Sequence, residues 1–128
     1  MSASIHHINW LVFDITLSAQ KFADFLKQKP QLEYLKKRNV DTARFALGDA
    51  WLVLVSPRDP NSVVGKILTE RGEGLFLLSL SGIDALDDGQ VAEMDKAGIR
   101  PGLADWQVWD VSGLSTDTSV LQIHTNKS

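Results

Sequence analysis

Apolar residues along this chain fall into short runs broken by turn-forming residues, with two stretches of helical spacing between them. "IHHINWLVF" (5–13) is rich in Ile, Trp, Val and Phe and predicts a strand. Asp14 to Ser18 is predicted as a turn, with Ser18 as N-cap of a helix carrying Phe22, Phe25 and Leu26 as one stripe and stopped by Pro30. Residues 32–38 and 42–47 predict a hairpin around Asn39, Gly48-Asp49 a turn, and Trp51–Val55 a buried strand. A loop with Pro57 and Pro60 leads to a short helix over 62–71, broken by Gly72-Glu73-Gly74. A strand at 75–81, a helix at 84–97, a weak strand near 99–103 and strands at 106–111 and 119–125 complete the pattern.

The order is β-α-β-β-β, a connector, then β-α-β-β-β, which predicts one unit used twice. At an offset of 70 residues His7-Ile8 falls on Leu77-Leu78 and Asp14 on Asp84, and at an offset of 69 Leu52 falls on Leu121. The fold class expected is α+β: two βαβββ modules (about 5–56 and 74–125, joined by 57–73) within a single domain of 1–128. Alternation then sorts the side chains. His7, Asn9 and Leu11 share one face of their strand, as do Trp51, Val53 and Val55, then Leu75, Leu77 and Ser79, and then Val120, Gln122 and His124, while Arg44 opposes Phe45 and Leu47. His6, Ile8, Trp10 and Val12 belong to the opposite face.

Composition narrows the chemistry. With 128 residues, 44% of them apolar, the chain can bury a real core. A net charge of −3 and no basic run longer than Lys36-Lys37-Arg38 argue against nucleic acid. No apolar run reaches membrane-spanning length. The absence of cysteine removes disulfides, thiolate metal sites and cysteine nucleophiles. "MSAS" begins no secretory signal, so a cytoplasmic protein is expected. "GEGLFLL" is no phosphate loop, because it lacks Lys-Ser/Thr and precedes a strand. No Gly-x-Ser-x-Gly elbow occurs, and no carboxylate falls on the strand faces that carry His7, Trp51, Leu77 and Gln122.

Two such modules in this length, with "IHHINWLVFDI", "ARFALGDAWLVLVSP", "DPNSVVGKILTERGEGL", "AGIRPG" and "STDTSVLQI" in order, resemble the vicinal oxygen chelate superfamily of glyoxalases and bleomycin-resistance proteins. Asp59 to Leu75 looks most like its methylmalonyl-CoA epimerase branch. The resemblance implies curled mixed sheets around a central cavity with helices outside, the faces that carry His7, Trp51, Leu77 and Gln122 lining it and Arg44 pointing inward or to solvent. It also implies a divalent metal held by four side chains, one from each of four strands. His7 matches the first ligand position, and Val53, Leu77 and Gln122 stand at the other three. Valine and leucine carry no donor and glutamine no charge, so no metal and no other cofactor is expected.

What remains is a mostly apolar cavity with a few polar groups, the usual make-up of a small-molecule site. The expected ligand contacts are His7, Asn9, Arg44, Trp51, Val53, Leu77, Ser79, Gln122 and His124. Trp51 offers a stacking surface, Arg44 an anchor for a carboxylate or phosphate, and His7 the best candidate for a catalytic acid or base. Three functions stay open. One is a metal-independent binding protein of the glyoxalase/bleomycin-resistance type for a small organic molecule. Another is a divergent epimerase, lyase or isomerase acting on a carbonyl compound or acyl thioester, with His7 as base. The third is a dimeric structural protein without an active pocket. The resemblance implies a homodimer, and four tryptophans suit a buried interface.

Overall fold

A computed structural model describes residues 4–81, 100–101, 107–110 and 120–125. Side chains are described for 4–81 and for Val120. The helix expected at 84–97, Trp106 and the turn at 112–117 lie outside the described residues.

The strands are β1 (Ser4–Leu11), β2 (Gln31–Leu35), β3 (Val40–Leu47), β4 (Ala50–Pro57), β5 (Gly74–Ser81), β6 (Arg100–Pro101), β7 (Gln107–Asp110) and β8 (Val120–Thr125). The helices are α1 (Ile15–Leu26) and α2 (Val63–Arg71). All eight strands hydrogen-bond into one open mixed sheet, in the order β2-β3-β4-β1-β5-β8-β7-β6. That order reads the same from either edge once the second module's strands are matched to the first. β1 pairs parallel with β4, and β5 parallel with β8. The register pairs Ile8 with Leu52 and Leu78 with Leu121, which are the two offsets found in the sequence. The modules meet where β1 pairs antiparallel with β5.

Two cores form on opposite faces of the sheet. On one, Val12, Ala43, Phe45, Leu52 and Leu54 are buried against Ala19, with Ile8, Trp10, Ile15, Phe22 and Leu26 packed around them. This α1 face includes Trp10 edge-on to Phe22, ring centroids 5.7 Å apart. On the other, Leu11, Val40, Val53 and Val55 are buried with Ile67 and Leu68 of α2, and Trp51, Val64 and Phe76 pack against them. The connector helix therefore covers part of the face on which the candidate site was expected.

Three local expectations change. α1 begins one turn early, because Asp14 caps it by accepting a 3.0 Å hydrogen bond from the Leu17 amide. Ile15 and Ala19 thereby join the buried stripe. Its centre turns toward Ala19, Ala23 and Leu26, and Phe25, roughly 100° away around the helix, is 81% exposed. Leu75 also leaves the site face and is exposed. A bulge between Asn9 and Trp10 skips Phe76 in the β1–β5 register, and it is Phe76 that packs into the core beside α2.

α2 sits close because Gly65 lets it. A Cβ at that position would overlap the backbone carbonyl of Asp59, the loop carbonyl that accepts from the Ser62 amide and hydroxyl at the helix N-cap. Gly65→Ala is expected to lower stability by about 1–3 kcal/mol, although alanine is the better helix former. Phe45→Ala, at a fully buried site, is expected to cost about 3–5 kcal/mol. Urea unfolding followed by circular dichroism measures both.

At the β2–β3 hairpin Arg58 donates to Asp41 at 2.8 and 3.0 Å and stacks over Tyr34 at 3.8 Å. The Arg58 hydrogen bond, opposed by partial burial and aided by its charge, holds the Asp41 carboxyl below its usual value. A depressed carboxylate stabilises the folded state above its unfolded pKa, and the contribution disappears as pH falls through the folded value. The Asp41→Asn variant should therefore lose part of the stability difference between pH 7 and pH 3, which thermal unfolding at the two pH values reads.

Candidate functional site

Two rows of residues cross the sheet opposite α1. Cross-strand register gives the first as Ala46, Trp51, His7, Ser79 and Gln122, and the second as Arg44, Val53, Asn9, Leu77 and Val120. Eight of the nine residues expected to contact a ligand, Arg44 among them, thus lie side by side on five adjacent strands. Gln122 and His124 are placed by backbone register alone, Gln122 opposite Ser79 and His124 opposite Val108.

Most of this surface is hydrocarbon: Val53 and Leu77 are both buried. The polar groups among them are His7, 3% exposed, and Ser79, fully buried. Ser79 Oγ and Asn9 Oδ1 are both buried without a hydrogen-bond partner. Leaving such an atom unpaired costs about 1–3 kcal/mol. Native chains seldom accept that cost without a ligand, water or mechanistic reason. Nothing in a strand's alternation reveals it, since the sequence shows a serine but not its missing partner.

Arg44 is half-buried. Its guanidinium lies 4.7 Å from the centroid of the Trp51 ring, and Nε and Nη2 donate to Gln31 Oε1 at 3.1 and 2.6 Å. Gln31, the register partner of Arg44 on β2, was not among the expected residues. Its amide holds the cation over the indole, and a guanidinium so placed is suited to carboxylate or phosphate.

His6 departs most from expectation. A second bulge, between Ile5 and His7 in the β1–β5 register, breaks the alternation. The two imidazoles meet, with Nδ1 of His6 2.8 Å from Nδ1 of His7 and the rings edge to face at 5.1 Å.

The four positions that the resemblance assigns to metal ligands obey the sheet's internal symmetry, His7 matching Leu77 and Val53 matching Gln122 at the offsets of 70 and 69. The residues on them do not fit a metal. Two are buried hydrocarbon side chains, and the donors beside His7 are a hydroxyl and neutral amides. Among the described residues no three His, Cys, Asp or Glu side chains gather as a metal site would require. A groove of about 270 Å³, lined by Ile15, Leu32, Glu33, Tyr34, Asp41 and Thr42, uses none of the candidate residues.

No known family profile matches the sequence, and no curated protein matches it either. Solved structures do match its shape. A hypothetical protein from Bacillus halodurans C-125 superposes with a TM-score of 0.78 at 21% identity, over 100% of this chain and 97% of that one. Methylmalonyl-CoA epimerase from Mycobacterium tuberculosis gives 0.75 at 19% identity, over 97% and 88%. A Streptomyces coelicolor methylmalonyl-CoA epimerase variant in complex with 2-nitronate-propionyl-CoA gives 0.74 at 19%, over 97% of both chains. The fold is thus the one seen in the methylmalonyl-CoA epimerases, two βαβββ modules sharing one sheet. No helix among the described residues is long and apolar enough to cross a membrane.

The donor set predicts that protein purified without tag or chelator holds no stoichiometric metal. Mn²⁺, Co²⁺, Ni²⁺ and Zn²⁺ should leave its melting temperature unchanged, whereas a bound ion would raise it by mass action. One metal per chain would mean that other residues supply the ligands.

Proposed function

We propose that this protein binds a small organic acid or acyl thioester on the site face of the sheet, without a metal. The observation that carries the reading is the pair of buried, unpartnered polar atoms, Ser79 Oγ and Asn9 Oδ1, set among hydrocarbon side chains. A ligand group that bonds them offsets the cost of burying them unpaired. The apolar part of the ligand lies on Val53, Leu77 and Trp51, and an anionic end is received by Arg44, which Gln31 and Trp51 hold in place. Acyl thioesters enter as candidates because structures of the same fold hold 2-nitronate-propionyl-CoA and methylmalonyl-CoA.

The test is a thermal-shift and calorimetric panel on metal-free protein: methylmalonyl-CoA, 2-nitronate-propionyl-CoA, free coenzyme A and short-chain carboxylic acids. At least one acyl compound or acid should raise the melting temperature in proportion to its affinity. Ser79→Ala separates a ligand site from a structural residue. Removing an unpaired buried hydroxyl should leave the unliganded protein as stable as before or slightly more so, while weakening ligand binding about tenfold. Arg44→Ala should weaken anionic ligands and spare neutral ones. No shift with any compound would overturn the proposal.

A further inference from the structure

The two unpartnered atoms of the site differ in what they can bond. Asn9 Oδ1 is an acceptor only, whereas Ser79 Oγ both donates and accepts. The two residues are equivalent in the repeat, since the offset of 70 carries Asn9 to Ser79. They are also diagonal neighbours across the seam, where Asn9 pairs with Leu77 and His7 with Ser79. Diagonal neighbours on one face of an antiparallel pair stand about 7–8 Å apart between backbones, a gap that one oxygen held by both side chains can span. Ser79 is fully buried, and Asn9 is half-buried with its Oδ1 enclosed. The row partners of Asn9 are Val53 on one side and Leu77 on the other. Neither can donate a hydrogen bond, and both exclude water, which strengthens any bond that Asn9 Oδ1 accepts.

We propose that the buried end of the ligand carries a hydroxyl group, so that the site takes a hydroxy acid or a hydroxyacyl compound rather than a plain acyl one. This inference rests on the binding reading above and narrows its chemistry. A hydroxyl donates its proton to Asn9 Oδ1 and accepts from the Ser79 hydroxyl, so one group pairs both atoms. A carboxylate, ester or thioester oxygen accepts from Ser79 but sets a lone pair against Asn9 Oδ1 and leaves it unpaired. An ammonium group donates to both, at the cost of burying a charge between Val53 and Leu77. A hydrocarbon end pairs neither. A site built to bond a hydroxyl rejects the analogue that lacks it more strongly than an apolar pocket rejects a missing methylene.

The position of Arg44 sets the other end. Arg44 stands in the same row as Asn9 and two strands away, roughly 10 Å between backbones. Its guanidinium, held over Trp51 by Gln31, suits a carboxylate. Val53 lies between the two in that row and offers hydrocarbon to the middle of the ligand. The ligand is therefore short, with an acid at one end, a hydroxyl at the other and methylene groups between them.

The test is calorimetric titration of the full chain with straight-chain carboxylic acids of about four to six carbons, a length set by the strand spacing, each with and without a hydroxyl on its last carbon. The hydroxylated member of at least one pair should bind about tenfold tighter than its plain counterpart. In Asn9→Leu, which removes the acceptor and keeps the bulk, that advantage should disappear while the plain acid binds as before. Ser79→Ala should reduce the advantage as well. The comparison within each pair is made on the unaltered protein, so it stands even if a variant fails to fold. Equal binding within every pair would overturn this inference and leave the binding reading in place. An advantage that survives Asn9→Leu would also overturn it, because the hydroxyl would then be held elsewhere. If neither these acids nor the acyl compounds bind, the binding reading falls and this inference falls with it.

Discussion

Everything in this protein hangs on the antiparallel pairing of β1 with β5. Each of these strands also pairs in parallel with the last strand of its own module, so the two modules share one sheet through a single seam. The chain closes over it by other bonds as well: the Phe13 amide donates to Glu73 at 2.9 Å, and Ser56 Oγ to the Phe13 carbonyl at 2.9 Å. Because the seam is antiparallel, equivalent residues of the two modules face each other only at its centre, Ile8 against Leu78, and those on the site face sit one row apart. His7 faces Ser79, the equivalent of Asn9, and Asn9 faces Leu77, the equivalent of His7. The symmetry thus gathers two positions from each module at the middle of one sheet. Here those positions hold an imidazole, an amide, a hydroxyl and a hydrocarbon.

Much of this was legible in the sequence because it depends on period. Alternation along 5–13 and 51–55 places Ile8 and Trp10 on the face that packs against α1, and Leu11, Val53 and Val55 on the face that packs against α2. The repeat offsets of 70 and 69 anticipate the registers of both parallel pairs. What failed is what period cannot express. A bulge adds one residue to one strand and reverses the facing of its neighbours. The bulge at His6 brought a discarded histidine to the site, and the one at Phe76 exchanged it for Leu75. Helix start was misplaced for a related reason: Ser18 and Asp14 are both good caps, and only packing of Ile15 decides between them.

The site itself was half legible. Residue types named the apolar lining and the missing metal donors, since valine and leucine cannot ligate under any rotamer. Hydrogen bonding was out of reach. Gln31 lies 13 residues before Arg44 and meets it only because β2 and β3 pair in one register. The isolation of Ser79 Oγ depends on every neighbour at once.

With hydrocarbon at Val53 and Leu77, any positive charge on this face comes from other side chains. A divalent ion on this face would supply two positive charges to any oxyanion developing beside it. With Val53 and Leu77 in the ligand positions, that compensation must come from elsewhere or the face must bind without reacting. Neutral donors such as Ser79 and Asn9 hold a carbonyl compound but stabilise little charge. Arg44 supplies one fixed positive charge, pinned by Gln31 and Trp51. One guanidinium among neutral donors and hydrocarbon is better suited to an acidic ligand than to stabilising an enolate, and that is the physical ground of the proposed binding reading.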